Sequence, residues 1–159
     1  MSDRSLTFGI VTCSDTRTLR EDAAGYALEE AIEAKGWVVA SHVIVKDDAN
    51  EISSAIVDAC DADCDIVLTC GGTGLSMRDV TPEATRMVCD REVPGIAEGM
   101  RAHSLEYTPY AMLSRAIAMQ RGSTLVVNMP GSTKAAKENW EAFEPVAEHA
   151  VRMTAGGGH

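Results

Sequence analysis

Carboxylates and glycines recur in this sequence where short apolar runs end. Four such stretches stand out: Cys13-Ser14-Asp15-Thr16-Arg17, Lys46-Asp47-Asp48, Gly71-Gly72-Thr73-Gly74 and Asn128-Met129-Pro130-Gly131-Ser132. The glycine-rich one is the most informative. Residues without a Cβ let successive backbone N–H groups turn toward one anion at close range, so the spacing fits a phosphate cradle as well as an ordinary tight turn. It is not a Walker A loop, because no Lys-Ser or Lys-Thr follows at the required place, and Met77 occupies the third glycine position of G-x-G-x-x-G. Asp79 follows, within Arg78-Asp79-Val80-Thr81-Pro82-Glu83-Ala84-Thr85, just before an expected helix start whose free N–H groups favour anions. One reading makes Asp79 a capping carboxylate. The other places a divalent cation between it and a bound anion, with Asp47 or Asp48 supplying a second oxygen. Mg²⁺ suits that arrangement, since it takes oxygen ligands and is commonly held by one or two carboxylates together with substrate phosphates. Arg17, Arg78 or Arg86 would add local positive charge.

The elements that must position these loops are legible as alternating periodicities. Thr7 to Thr12, Trp37 to Val45, Ile66 to Thr69 and Thr124 to Met129 read as short apolar strands. Between them lie helical patterns: Asp22 to Lys35, stopped by Gly36; a second behind an Asn50 cap; and a third opened by Thr81-Pro82-Glu83, with a hydroxyl cap and proline at the first helical position. Pro94 to Gln120 reads as helix divided by Pro109. A last helix begins near Ser132, with Pro145 expected to kink or restart it. This alternation predicts a single α/β domain, a three-layer αβα sandwich around a mostly parallel sheet. In such sheets ligands bind beyond the carboxyl ends of the strands, where all four loops fall.

Composition narrows the function. The 159 residues carry 24 acidic against 14 basic side chains, a formal charge of −10, which disfavours nucleic acid or an anionic membrane as partner. No window reaches the apolar length of a membrane helix, and the opening MSDRSLTFGIVT lacks a basic region followed by an apolar stretch. Five cysteines, an odd number with no C-x-x-C pair, read as free thiols. The expectation is a cytoplasmic protein. Residues 1–5 and 156–159 read as frayed tails. The four histidines are scattered and read as surface or packing residues. Met87, Met100, Met112, Met119 and Met129 read as core filling.

Taken together, Gly71-Gly72-Thr73-Gly74, the Arg78 to Thr85 segment, Arg91-Glu92-Val93-Pro94-Gly95, Leu113-Ser114-Arg115 and Asn128-Met129-Pro130-Gly131-Ser132 give a sequence that resembles the molybdopterin adenylyltransferase family of molybdenum cofactor biosynthesis. The resemblance takes in the short B-type biosynthesis proteins and gephyrin-like domains, and it covers nearly the whole chain. It implies transfer of AMP from ATP to the terminal phosphate of molybdopterin, with Mg²⁺ and release of pyrophosphate, by a homotrimer that works beside other cofactor-biosynthesis proteins. It carries the family's two functional aspartates onto Asp47 and Asp79, which would serve as catalytic and metal-binding residues. Lys46 stands where relatives carry proline, which leaves Asp48 as a competitor of Asp47. Ser14, Asp15, Gly71, Gly72, Thr73, Gly74, Ser114, Pro130, Gly131 and Ser132 fall on positions that line the pterin and nucleotide pocket. Pro130 to Ala135 looks more like the B-type proteins, some of which lack the aspartate that this chain retains as Asp79. A non-catalytic pterin-binding protein and a trimeric scaffold are the alternatives.

Overall fold

The computed structural model describes residues 4–157. Six strands form one sheet in the order β2-β1-β3-β6-β5-β4: β1 (Thr7–Cys13), β2 (Val38–Val45), β3 (Ile66–Cys70), β4 (Arg91–Glu92), β5 (Ala118–Arg121) and β6 (Thr124–Met129). The first four in that order run parallel, while β5 and β4 close the far edge antiparallel. Five helices cover the sheet: α1 (Ala23–Ala34), α2 (Ala49–Asp61), α3 (Thr81–Val88), α4 (Pro94–Ser104) and α5 (Thr133–Thr154).

Strand side chains alternate between the two faces, and the core divides accordingly. Phe8, Ile10, Ile66, Leu68, Leu125 and Val127 pack with Leu28 and Ile32 of α1, Met100 of α4 and Trp140 and Phe143 of α5. Val11, Val67 and Val126 face the other way, against Ile52 and Ile56 of α2 and Ala84 of α3. Burial on both sides explains the nearly unbroken apolar runs of β3 and β6. The three-layer arrangement expected from the periodicity is present.

Several boundaries depart from the expectation. The span from Pro94 to Gln120 is not helical throughout, because α4 ends at Ser104, a short 3-10 turn covers Pro109–Leu113, and β5 follows. The local sequence AMQR carries no strong strand signal, and pairing with β6 across the Gly122 turn makes it a strand. Helix α5 runs unbroken past Pro145, so it is not restarted there. Met87 and Met112 lie on the surface, whereas Met100, Met119 and Met129 are buried as expected. At the expected tails, Arg4 pairs with Asp65, Ser5 Oγ donates to the Gly36 carbonyl at 2.6 Å, and Gly157 N donates to Arg152 O. The remainder of those tails, 1–3 and 158–159, lies outside the described residues. Among the described residues, no helix is long and apolar enough to cross a membrane.

The parallel register sets the site. Cys13 stands beside Val45, Thr12 beside Cys70, and Cys70 beside Met129, so four strands end level. The loops that follow them must therefore meet. They meet where the strand order reverses about β1, the usual binding crevice of an open parallel sheet.

Candidate functional site

The centre of the crevice is the turn after β3. Gly71 and Gly72 have φ of +100° and +71°, values that side-chain-bearing residues rarely adopt. A Cβ at Gly71 would stand 2.7 Å from the Cys13 carbonyl oxygen. At Gly72 it would stand 2.1 Å from Thr81 Oγ1 and 3.5 Å from Asp47 Oδ1. Glycine is thus required twice, once by backbone conformation and once by the close approach of Thr81. The turn is tied down by Gly71 N donating to Met129 O (3.0 Å), Thr81 N to Gly72 O (3.1 Å) and Arg115 N to Thr73 O (2.9 Å). Among the described residues, the Gly72, Thr73 and Gly74 amides find no acceptor.

Around this turn gather the acidic residues. The Asp47 backbone N–H donates to Asp15 Oδ1 at 3.0 Å, and Arg78 Nε donates to Asp15 Oδ2 at 2.6 Å. The Asp47 amide and the Arg78 guanidinium together hold the Asp15 carboxyl below its usual range. Asp47 shifts the opposite way: partial burial, then the charges of Asp15 and Asp79, raise it above the ordinary carboxylate value. Its Oδ1 is buried and makes no hydrogen bond, and neither does the buried Thr81 Oγ1, which also stands close to Gly72 and has the Cys13 thiol beside it. Unpartnered buried oxygens are costly and call for an explanation. Asp79 is oriented by the turn that precedes α3, where its Oδ2 accepts from Ser76 N at 3.1 Å. A Cβ at Gly74 would lie 2.9 Å from that same oxygen, which places Asp79 against the glycine turn.

Two expected caps are different in the structure. Helix α2 is capped by Asp48, whose Oδ1 accepts from Asn50 N and Glu51 N at 3.0 Å each, and not by Asn50. That occupies the Asp48 carboxylate and turns Asp47 toward the glycines. Helix α3 has Val80 at its N-cap position and no side-chain cap, so the Thr81 hydroxyl does not cap it. Asp79 does not cap it either.

The remaining candidates form a second group. Thr73, Gly74, Ser114, Pro130 and Ser132 line a cavity of about 350 Å³ that residues of α4 and α5 also line. Gly131 packs against Gly71, and its carbonyl accepts from Arg17 Nη1 at 3.0 Å. Ser14, between Cys13 and Asp15, accepts from the Arg17 amide at its Oγ at 3.1 Å. Arg86, offered as a local cation, instead pairs with Glu92. The arginine that does reach the turn is Arg115, which donates to Gly74 O (2.8 Å), Asp79 O (2.7 Å) and Glu83 (2.8 Å). Three acceptors on one guanidinium lock the glycine turn to the Asp79 segment. The motif Leu113-Ser114-Arg115 carried the signal, although nothing in its spacing assigned Arg115 this task. Thr81 was also missed as a site residue, because a Thr-Pro-Glu start reads as capping. Burial pushes the Cys13 and Cys70 thiols beside the crevice up to about 12, so neither is a thiolate nucleophile at neutral pH.

A family model described as a probable molybdopterin binding domain matches residues 9–149. The molybdopterin adenylyltransferase of Helicobacter pylori is 36% identical over 158 residues, covering 96% of this chain and 90% of that protein. The molybdenum cofactor biosynthesis protein B of Halalkalibacterium halodurans is 44% identical over 131 residues, or 80% of this chain and 77% of the relative. Among solved structures, the molybdopterin biosynthesis enzyme MoaB of Thermus thermophilus superposes with a TM-score of 0.86 at 43% identity, over 95% of this chain and 97% of the other. With the glycine turn, its flanking aspartates and the level strand ends all in place, the chain belongs to the probable molybdopterin binding domain family of molybdenum cofactor biosynthesis proteins.

Proposed function

We propose that this chain is a molybdopterin adenylyltransferase, which joins AMP from ATP to the terminal phosphate of molybdopterin and releases pyrophosphate. The observation that carries this reading is the pair of buried oxygens without a hydrogen bond, Asp47 Oδ1 and Thr81 Oγ1, both close to Gly72, with Asp79 near enough to raise the Asp47 carboxyl. They fit Mg²⁺, a hard cation that takes oxygen ligands. Among the described residues, no group of three or more His, Cys, Asp or Glu is arranged to hold a metal by itself, so the cation would be shared between Asp47, Asp79 and substrate phosphates. Bound there, Mg²⁺ supplies neutralisation of the charge that gathers on the phosphates during transfer.

The chain's own residues do the positioning. The Gly72, Thr73 and Gly74 amides offer donors to phosphate oxygens at close range. Arg115 holds the turn and the Asp79 segment in one geometry, and Arg78 keeps Asp15 ionised beside Asp47. A phosphate nucleophile is already anionic, so no general base is needed. In-line placement of that phosphate oxygen on the α-phosphorus, with pyrophosphate leaving, accounts for the rate. We further assign the chain to a homotrimer in the cytoplasm, in contact with other cofactor-biosynthesis proteins.

A second reading, a pterin-binding protein that does not catalyse, draws on the higher identity to the B-type relative, 44% against 36%. Incubation with molybdopterin, ATP and Mg²⁺, followed by chromatography, separates the two. The transferase yields adenylylated molybdopterin and pyrophosphate, whereas the binder retains the pterin and leaves ATP intact.

A further inference from the structure

The third buried side-chain oxygen without a hydrogen bond is distant in sequence from the aspartates. It is Oε1 of Glu138, on the second turn of α5. Glu138 is only 5% exposed, and it lines the same 350 Å³ cavity as Thr73 and Gly74. The lining includes the apolar side chains of Ala97, Met100, Ala111, Leu113, Ala116 and Ala135. Arg101 also lines the cavity, but it forms no ion pair with Glu138 among the described residues. Its Nη1 donates to the carbonyls of Ala116 (2.7 Å) and Ser114 (3.4 Å). Next to Glu138, Ser104 Oγ donates to Asn139 Oδ1 at 2.9 Å, which orients the Asn139 amide so that its NH₂ is available to a ligand.

A buried carboxyl oxygen without a donor is expensive and is retained where a ligand brings the donor. The cavity lining is therefore mixed in character: the Thr73-Gly74 backbone suits an anion, while Glu138 suits a flat heterocycle that carries adjacent N–H groups. We propose that Glu138 is the specificity-determining residue that accepts hydrogen bonds from the N3–H and 2-amino group of the 2-amino-4-oxopyrimidine edge of a pterin, with Asn139 donating beside it. This rests on the molybdopterin-binding reading above and adds the residue that recognises the ring.

The test is a competition assay on the full chain. Bound molybdopterin is displaced with 6-hydroxymethylpterin or with 6-hydroxymethyllumazine, which presents a carbonyl in place of the 2-amino group. The wild-type protein should favour the pterin over the lumazine by at least about tenfold. Glu138→Gln, whose amide can donate to the lumazine carbonyl, should bind molybdopterin about 10- to 100-fold more weakly, the range of one hydrogen bond to a charged group. It should also lose the preference, which a purely structural role would not change. Glu138→Leu, which removes the unpaired buried carboxylate, is the second variant if the glutamine protein fails to fold by circular dichroism. Unchanged affinity and unchanged preference in a folded variant overturn this inference and leave the function standing. Failure of the wild-type chain to bind molybdopterin at all overturns the function, and this inference with it.

Discussion

Asp47 and Asp48 are neighbours with opposite tasks, and mutation should separate them. Asp48 caps α2, where asparagine caps about as well, so Asp48→Asn should keep both stability and turnover, while Asp48→Ala should cost about 1 kcal/mol in urea unfolding with turnover retained. If the proposed transfer takes place here, Asp47→Asn and Asp79→Asn remove charge where its transition state gathers it, and turnover should fall by about 10²- to 10³-fold in each, with molybdopterin binding preserved. Near-normal turnover by Asp79→Asn returns that residue to the role of a turn former that accepts from Ser76 N, a bond asparagine can also make. Asp47→Asn has a second signature. Because burial, Asp15 and Asp79 raise the Asp47 carboxyl, its ionised form at neutral pH works against folding, a cost that disappears as pH falls through its raised value. In metal-free buffer at pH 7 the asparagine variant should therefore melt higher than wild type, and an equal or lower melting temperature contradicts the crowding of charge described here.

The elements β1, α1 and β2 are pinned by a network that the scattered histidines gave no hint of. Asp22 caps α1 by accepting from Gly25 N, and its Oδ2 accepts from Thr12 of β1 (2.5 Å) and bonds to His42 Nε2 of β2 (2.6 Å), while His42 Nδ1 meets Glu29 of α1 at 2.9 Å. Burial pushes the Asp22 carboxyl up, but the His42, Thr12 and Gly25 hydrogen bonds together leave it below its usual range. The bond to Asp22, opposed by burial and aided by Glu29, lifts His42 above 6.5. The signs then differ by partner. The His42 contribution is fully present below pH 6.5 and is lost as pH rises through its raised value, whereas the Asp22 contribution is present above pH 3.8 and is lost as pH falls through its lowered one. The urea midpoint of wild type should drop between pH 6 and pH 9. His42→Gln should lower stability by roughly 3 kcal/mol at pH 6, since a buried charge loses its partner, and should flatten that drop. A variant whose midpoint keeps the wild-type pH dependence shows that another group carries it.

On the scale of the whole molecule, the distribution of apolar surface supports assembly. Tyr110 is 77% exposed, Met112 66%, Leu113 50% and Tyr107 51%, a cluster on and before the 3-10 turn that also walls the cavity. Leu75 and Met77, beyond the glycine turn, are 66% and 94% exposed. Exposed apolar clusters of this kind mark interaction sites. Sedimentation equilibrium should give three times the 16.9 kDa chain mass at micromolar concentrations, and Met112→Lys should shift the population toward monomer. A 16.9 kDa species for wild type across that range overturns the trimer.

The α/β alternation, the four parallel strands and the loops where chemistry gathers were legible in the sequence, because each rests on local rules: apolar runs of strand length, helical stripes, and glycine where a turn leaves ordinary backbone space. The same rules could not assign β5 and β4, whose strand character comes from pairing with β6 and β5 rather than from AMQR and RE themselves. Nor could they place Asp47 and Asp48 apart. The start of α2 does so, drawing the Asp48 carboxylate to its own N–H groups and leaving Asp47 Oδ1 close to Gly72. Arg115 and His42 gain their roles only through partners 36 and 20 positions away, at Asp79 and Asp22, and Thr81 gains its own by closing on Gly72. Glu138 enters the site only because α5 brings it to the cavity that Thr73 and Gly74 also line. Such contacts follow from how the strands order themselves and how helices stack on them. A linear pattern encodes periodicity, but which buried oxygen lacks a donor is decided by tertiary packing.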